Sequence, residues 1–212
     1  MSVLGILGAG RVGIALAKLA RDAGLDVTAA GSSDASGISQ ATKADVVILA
    51  IPLGKYRTLP ADALAGKLVI DAMNYWWELD GVRPEFSDPR TSTSETVQAF
   101  LADSRLAKSF NHASVWELEN LARPAGHPER RALAVASDNA DDLFRASFLV
   151  DAMGFDPISA GRLANGVMFE PGTEAFGADA SAAELRAMLN RFWTSQRGLV
   201  VARNRDKPRA EC

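Results

Sequence analysis

A short apolar run, Val3 to Leu7, ends in Gly8-Ala9-Gly10-Arg11-Val12-Gly13 and passes straight into a segment with Val12, Ala15, Leu16, Leu19 and Ala20 on one helical face. Few folds accommodate a strand, a glycine turn and a helix in immediate succession. Gly8 permits the tight turn. Gly10, lacking a side chain, leaves the backbone open to a pyrophosphate, and Gly13 lets the helix approach the sheet. The helix N-terminus then offers free N–H groups and the positive end of its dipole to the phosphates. Residues 8 to 13, with Ala9, Arg11 and Val12 between the glycines, are therefore the first candidate ligand site. A glycine-rich turn that binds nothing is the competing reading.

The rest of the chain alternates in the same way. Strand-like runs at Leu25 to Ala30, Val46 to Ile51, Leu68 to Ala72, Leu106 to Phe110 and Ala132 to Ala136 are separated by helical stretches. That alternation predicts βαβ units on a parallel sheet. The continuous apolarity of Val46-Val47-Ile48-Leu49-Ala50 places the sheet between two helical layers. Gly24 is placed to end the first helix. Ser92 and Glu95 predict a capping box for a helix from Thr93 to Leu101, and another helix is expected over Asn139 to Met153. The crossover from Gly31 to Ala44 is short, so its helix should be cut to a turn or two. Residues 75 to 90 read as a long loop. Strand signals end after about residue 158. Leu185, Met188, Leu189, Phe192 and Trp193 then mark an amphipathic helix, either covering the sheet or forming a dimer contact. The expected architecture is an α/β, doubly wound, mostly parallel Rossmann fold over residues 1–155. A small helical C-terminal segment with a charged tail follows over 156–212.

Bulk properties narrow the partners. The net charge of −3 gives no general attraction to nucleic acid or anionic lipid. The single cysteine, Cys212, can form neither an internal disulfide nor a thiolate metal site. The N-terminus has no basic n-region, and no apolar run approaches transmembrane length. A cytoplasmic protein without membrane or nucleic-acid partners is expected.

The end of the second strand bears on which dinucleotide would bind. An acidic residue there accepts from the ribose 2′-hydroxyl of NAD. Here the chain has Gly31-Ser32-Ser33. Hydroxyls can donate to a 2′-phosphate, and Arg11 could add a charge-assisted bond or simply be solvated. This favours NADP(H). If Asp34 occupied the strand tip instead, the preference would reverse.

Four stretches together resemble one family. They are Ile6-Leu7-Gly8-Ala9-Gly10-Arg11-Val12-Gly13; Ala44 through Pro52; Val69-Ile70-Asp71-Ala72-Met73-Asn74 followed by Thr91-Ser92-Thr93-Ser94-Glu95; and Lys108-Ser109-Phe110-Asn111. Over residues 1 to about 165 the chain resembles NADP oxidoreductases that use the deazaflavin coenzyme F-420, and their relatives, including the reductase domain of STEAP metalloreductases. The resemblance implies that Ser32 and Ser33 bind the 2′-phosphate. It also implies that Ile51, Pro52 and Leu53 wall the adenosine and pyrophosphate side, and that Asn74 and Asn111 lie near the nicotinamide. The family often carries an arginine near Ser32 and Ser33, which is absent here.

The catalytic candidates are Asn111 and His112, both just past a strand end where α/β crevices form. His112 could donate to an acceptor carbonyl or ring nitrogen, or merely hold a loop. Asn74 and Asn111 could fix a carboxamide, or serve as turn formers. Trp76 and Trp77 could stack on a flat ring or pack in a core or dimer. The small residues of Ser159 to Asn165 could admit a planar ligand or form a tight connection. No G-x-S-x-G elbow or Walker turn occurs. The expectation is an NADP(H)-dependent oxidoreductase passing hydride between NADPH and a small acceptor, with coenzyme F-420 or a flavin as possible co-substrate. The rivals are an NADPH-dependent reductase of a small carbonyl or imine, and a non-catalytic NADPH sensor. A homodimer through the C-terminal helix is also possible.

Overall fold

The computed structural model describes residues 3–205. In chain order it contains β1 (Val3–Leu7), α1 (Arg11–Asp22), β2 (Asp26–Ala30), α2 (Ala35–Ala41), β3 (Val46–Leu49), α3 (Ala61–Leu64), β4 (Leu68–Asp71) and α4 (Trp77–Asp80). Then follow α5 (Thr93–Phe100), β5 (Arg105–Lys108), α6 (Val115–Asn120), β6 (Ala132–Ser137), α7 (Ala140–Ala152), β7 (Asp156–Gly161), α8 (Ala182–Arg191) and α9 (Gln196–Arg205). Short 3-10 helices include Leu53–Thr58 and Leu163–Phe169. The charged tail beyond residue 205, with Cys212, lies outside the described residues.

The seven strands form one sheet in the order β2-β1-β3-β4-β5-β6-β7. All neighbours are parallel except β5 and β6. This is the expected doubly wound, mostly parallel Rossmann-type sheet. Because β2 and β3 flank β1 on opposite sides, the winding reverses at β1. A crevice opens there at the carboxyl ends of β1 and β3, the usual ligand position of such sheets.

Strand alternation builds two cores. Leu4, Ile6, Ile48, Leu68 and Ile70 face one layer, where α1, α6 and α7 supply Leu16, Leu118 and Val150. Leu7, Val47, Leu49 and Val69 face the other, against Ala41 of α2, Leu64 of α3 and Val97 of α5. Each fully buried aliphatic side chain contributes about 1.5–3 kcal/mol. Helix α2 has only seven residues, the one or two turns the sequence predicts. It lies so close to β1 that a Cβ on Gly5 would stand 2.1 Å from the Ala41 carbonyl oxygen.

Two differences from the sequence reading have physical causes. Strand β5 ends at Lys108 rather than Phe110, because Phe110 adopts φ 64 and leaves extended geometry. Strand β7 runs to Gly161, and its Pro157 obscured it. Proline is compatible with this position because β7 is the sheet's edge. The division at residue 155 falls just ahead of β7, which pairs along β6. Of the two roles that the sequence left open for α8, its apolar stripe takes the one inside the chain. Leu185, Leu189 and Phe192 are buried against Ala134, Ile158 and Ala160 of β6 and β7, so it covers the sheet rather than facing a second chain.

Candidate functional site

The glycine turn follows β1 at the crevice, and its three glycines serve three different needs. Gly8 has φ 127, and a Cβ there would lie 2.3 Å from the Ala50 carbonyl oxygen. Gly13 is held so close to β1's end that a Cβ would stand 1.8 Å from the Gly8 oxygen. Gly10 has ordinary extended angles, and a Cβ would meet nothing within 4 Å. Packing therefore explains Gly8 and Gly13 but not Gly10, whose missing side chain leaves open space above the turn. Helix α1 has no side-chain cap and no acidic residue in its first turn, so its leading N–H groups stay available. Arg11 and Ala9 are exposed, Val12 is half-buried, and the Arg11 side chain has no hydrogen bond or ion pair among the described residues.

A cleft of about 110 Å³ continues from the turn. Gly8, Gly31, Ser32, Ile38 and Ile51 line it, with Leu59 and Pro60 behind. Strand β2 ends at Ala30, so Gly31 and the exposed Ser32 and Ser33 occupy the tip. Asp34 is turned away. It caps α2, its Oδ1 accepting from the Gly37 N–H at 2.8 Å. The carboxylate that would reverse the nucleotide preference is thus committed to a helix end. Ile51 lines the cleft and Pro52 is exposed, whereas Leu53 is fully buried in the core and presents no wall to a ligand.

Further along the carboxyl edge lie Asn74 and Asn111, brought together although 37 residues apart. Asn74 Nδ2 donates to the Asn111 carbonyl at 2.6 Å, and Asn111 Nδ2 donates to Asn74 Oδ1 at 3.1 Å and to the Phe169 carbonyl at 2.9 Å. Phe110, just before Asn111, is the sole non-glycine residue with positive φ among those described. A bulky residue held there costs roughly 1–3 kcal/mol, which the surrounding core must offset.

His112 is buried rather than presented to the crevice. Its Nε2 accepts the Ala134 N–H at 3.0 Å, its ring meets Phe169 edge-on, and its Nδ1 has no partner among the described residues. Burial, assisted by the Lys108 charge, lowers its pKa to about 3. It is therefore a neutral side chain that fixes β6, poorly suited to shuttle a proton.

The sequence reading missed a buried polar cluster beneath the asparagines. Lys108 and Asp71, both fully buried, form an ion pair at 3.4 Å. Asp71 Oδ2 accepts from Ser94 Oγ at 2.5 Å and Oδ1 from the Met73 N–H at 2.8 Å, while Lys108 Nζ donates to the Met73 carbonyl at 3.3 Å and Thr93 Oγ1 at 3.3 Å. The peptide groups on both sides of Met73 are thereby pinned, which sets where Asn74 begins. The signal was present: Asp71 ends the otherwise apolar β4, and Lys108 ends β5 after the apolar Leu106 and Ala107. Asp80 was missed too. Its carboxylate accepts from the Gly54 and Trp76 N–H groups at 2.8 and 3.0 Å, organising the long loop that leaves Trp76 half-exposed and Trp77 exposed.

The segment Ser159 to Asn165 closes this edge. Asn165 Nδ2 donates to the Ala160 carbonyl, and Ser92 Oγ donates to the Leu163 carbonyl at 3.2 Å. Glu170, just beyond, takes the Thr93 N–H at 2.8 Å. The predicted capping box of Ser92 and Glu95 is formed. Among the described residues there is no His/Cys/Asp/Glu cluster suited to a metal, and no helix is long and apolar enough to cross a membrane.

No protein-family model and no curated protein sequence matches the chain. Solved structures do. A hypothetical protein from Sinorhizobium meliloti is 25% identical with TM-score 0.72, covering 84% of this chain and 94% of its own. A candidate F420-dependent NADP-reductase from an Arthrobacter species is 20% identical with TM-score 0.65, covering 92% of this chain and 94% of its own. The 3-hydroxyisobutyrate dehydrogenase of Mycobacterium tuberculosis is 20% identical with TM-score 0.54, covering 76% of this chain and 55% of its own. The likeness to the two named oxidoreductases is one of fold.

Proposed function

We propose that this chain is an NADP(H)-dependent oxidoreductase that passes hydride between NADPH and a small planar acceptor of the deazaflavin or flavin type. The observation that carries the reading is the space above Gly10. A backbone left bare where no packing demands it, next to an uncapped helix end, fits a pyrophosphate. Ser32 and Ser33 at the β2 tip, with Asp34 withdrawn into the α2 cap, favour a 2′-phosphate over a free 2′-hydroxyl. The name carried by the Arthrobacter structure, an F420-dependent NADP-reductase, agrees with a nicotinamide-dependent reaction.

When bound, the nicotinamide supplies the hydride, and the chain's own residues bind, orient and exclude water. Gly8 to Gly13 would hold the pyrophosphate, and Ile51 the adenosine side. Asn74 would face the nicotinamide end, braced by Asn111 and the Lys108–Asp71 pair. A carbonyl or imine acceptor needs a proton donor. His112 is a poor one, being buried with a pKa of about 3, and this disfavours the carbonyl or imine reading. A sensor reading rests on the same binding site without turnover.

Anaerobic NADPH oxidation separates these readings. The proposal predicts turnover with F-420 or FMN and none with small carbonyl or imine compounds. Oxidation by carbonyls or imines alone would overturn the choice of acceptor. Binding without oxidation by any of them would favour the sensor.

A further inference from the structure

At the opposite edge of the sheet, the amino ends of β1 and β3 carry an apolar face that no element among the described residues covers. Phe144 and Phe148, one turn apart on α7, are 71% and 65% exposed. Beside them runs a groove of about 370 Å³, with Val3, Leu25 and Val46 forming its other wall. Rings this exposed on a helix otherwise packed into the core are costly to leave in water, and contiguous exposed apolar surface marks contact sites.

A small ligand is a poor occupant. Pockets that hold small molecules orient them with a few polar groups set inside an apolar wall. Among the described residues, the polar side chains lining this groove are Asp45 and Arg145. Both are exposed, and neither has a side-chain hydrogen bond or ion pair among the described residues.

We propose that this face is where two copies of the chain pair about a two-fold axis. A two-fold contact requires a patch complementary to itself. This patch meets that condition twice. It has aromatic knobs beside an apolar groove, and one unpaired acid and one unpaired base on the same rim. Phe144 and Phe148 of each copy enter the groove of the other, and Asp45 of each meets Arg145 of its mate. The stripe of α8 is already buried on β6 and β7, so this face rather than that helix supplies the contact. It lies at the end of the sheet away from the glycine turn, so pairing leaves the nucleotide crevice open, and the inference stands or falls independently of the proposed activity.

The test is the molecular mass of the full chain in solution, by sedimentation equilibrium. The wild type should be a dimer whose thermal unfolding shifts with protein concentration, and Phe148→Glu a folded monomer whose unfolding does not, since this ring is 65% exposed in its own chain. Asp45→Arg and Arg145→Asp should each weaken the dimer at least tenfold, because each places like charges across the axis. Mixed together, the two variants should recover it: one chain then carries two bases, the other two acids, and both cross-axis pairs are restored. A monomeric wild type would overturn the proposal. So would a dimer indifferent to Phe148→Glu, or charge variants that fail to recover on mixing.

Discussion

Gly10 and Gly13 stand three residues apart in the same turn, yet substitution should separate them cleanly. Gly10→Val places its side chain in open space at angles valine tolerates, and should cost about 1 kcal/mol or less, mostly as a poorer helix cap. Gly13→Val drives a Cβ into the Gly8 carbonyl and should cost about 3 kcal/mol or more. Urea unfolding of the two variants reads the difference. His112 gives a second residue-scale test. Its folded pKa of about 3 lies below the ordinary 6.5, so the native state refuses a proton that the unfolded chain accepts. Its contribution is complete above about pH 6.5 and declines as pH falls toward 3. Between pH 7 and pH 5 the loss should be about 2 kcal/mol. His112→Gln, which keeps an acceptor for the Ala134 N–H and has no charge to gain, should lose that much less stability over the same interval. Equal losses in both proteins would contradict this account of His112.

Among the elements, β4, β5 and α5 are joined by the Lys108–Asp71–Ser94 contacts. Lys108→Met would leave a buried carboxylate without its cation, and should destabilise the protein by about 3–5 kcal/mol. Adding Asp71→Asn should recover much of that loss, as unfolding measurements on the double variant would show. This cluster also marks where sequence reading reaches its limit. The strand runs, the short α2, the α5 capping box and the glycine turn were legible because each is written in adjacent residues. The pairing of Lys108 with Asp71, or of Asn111 with Asn74, joins residues 37 apart and exists only once β4 and β5 lie side by side. Strand β7 was hidden by Pro157, tolerable only at an edge that the sequence does not announce. The inward turn of Leu53 and the burial of His112 were likewise settled by tertiary packing, since both residues follow a strand end that would suit a ligand equally well.

At the scale of the whole molecule, the sheet separates two surfaces. One end gathers the glycine turn, the Ser32 tip and the asparagine pair around the point where the winding reverses; the other exposes Phe144 and Phe148. Asp80 links the 3-10 segment after β3 to the loop after β4, so Asp80→Ala should loosen that rim, seen as faster amide exchange at Gly54 and Trp76. A nucleotide held at the carboxyl end is the claim on which the functional reading depends. Titration calorimetry of the wild type and Gly10→Val with NADPH and with NADH tests it most directly. The account predicts that the wild type binds NADPH, at least tenfold more tightly than NADH, and that Gly10→Val binds neither while remaining folded. Failure of the wild type to bind either nucleotide, or binding by Gly10→Val at undiminished affinity, would contradict it.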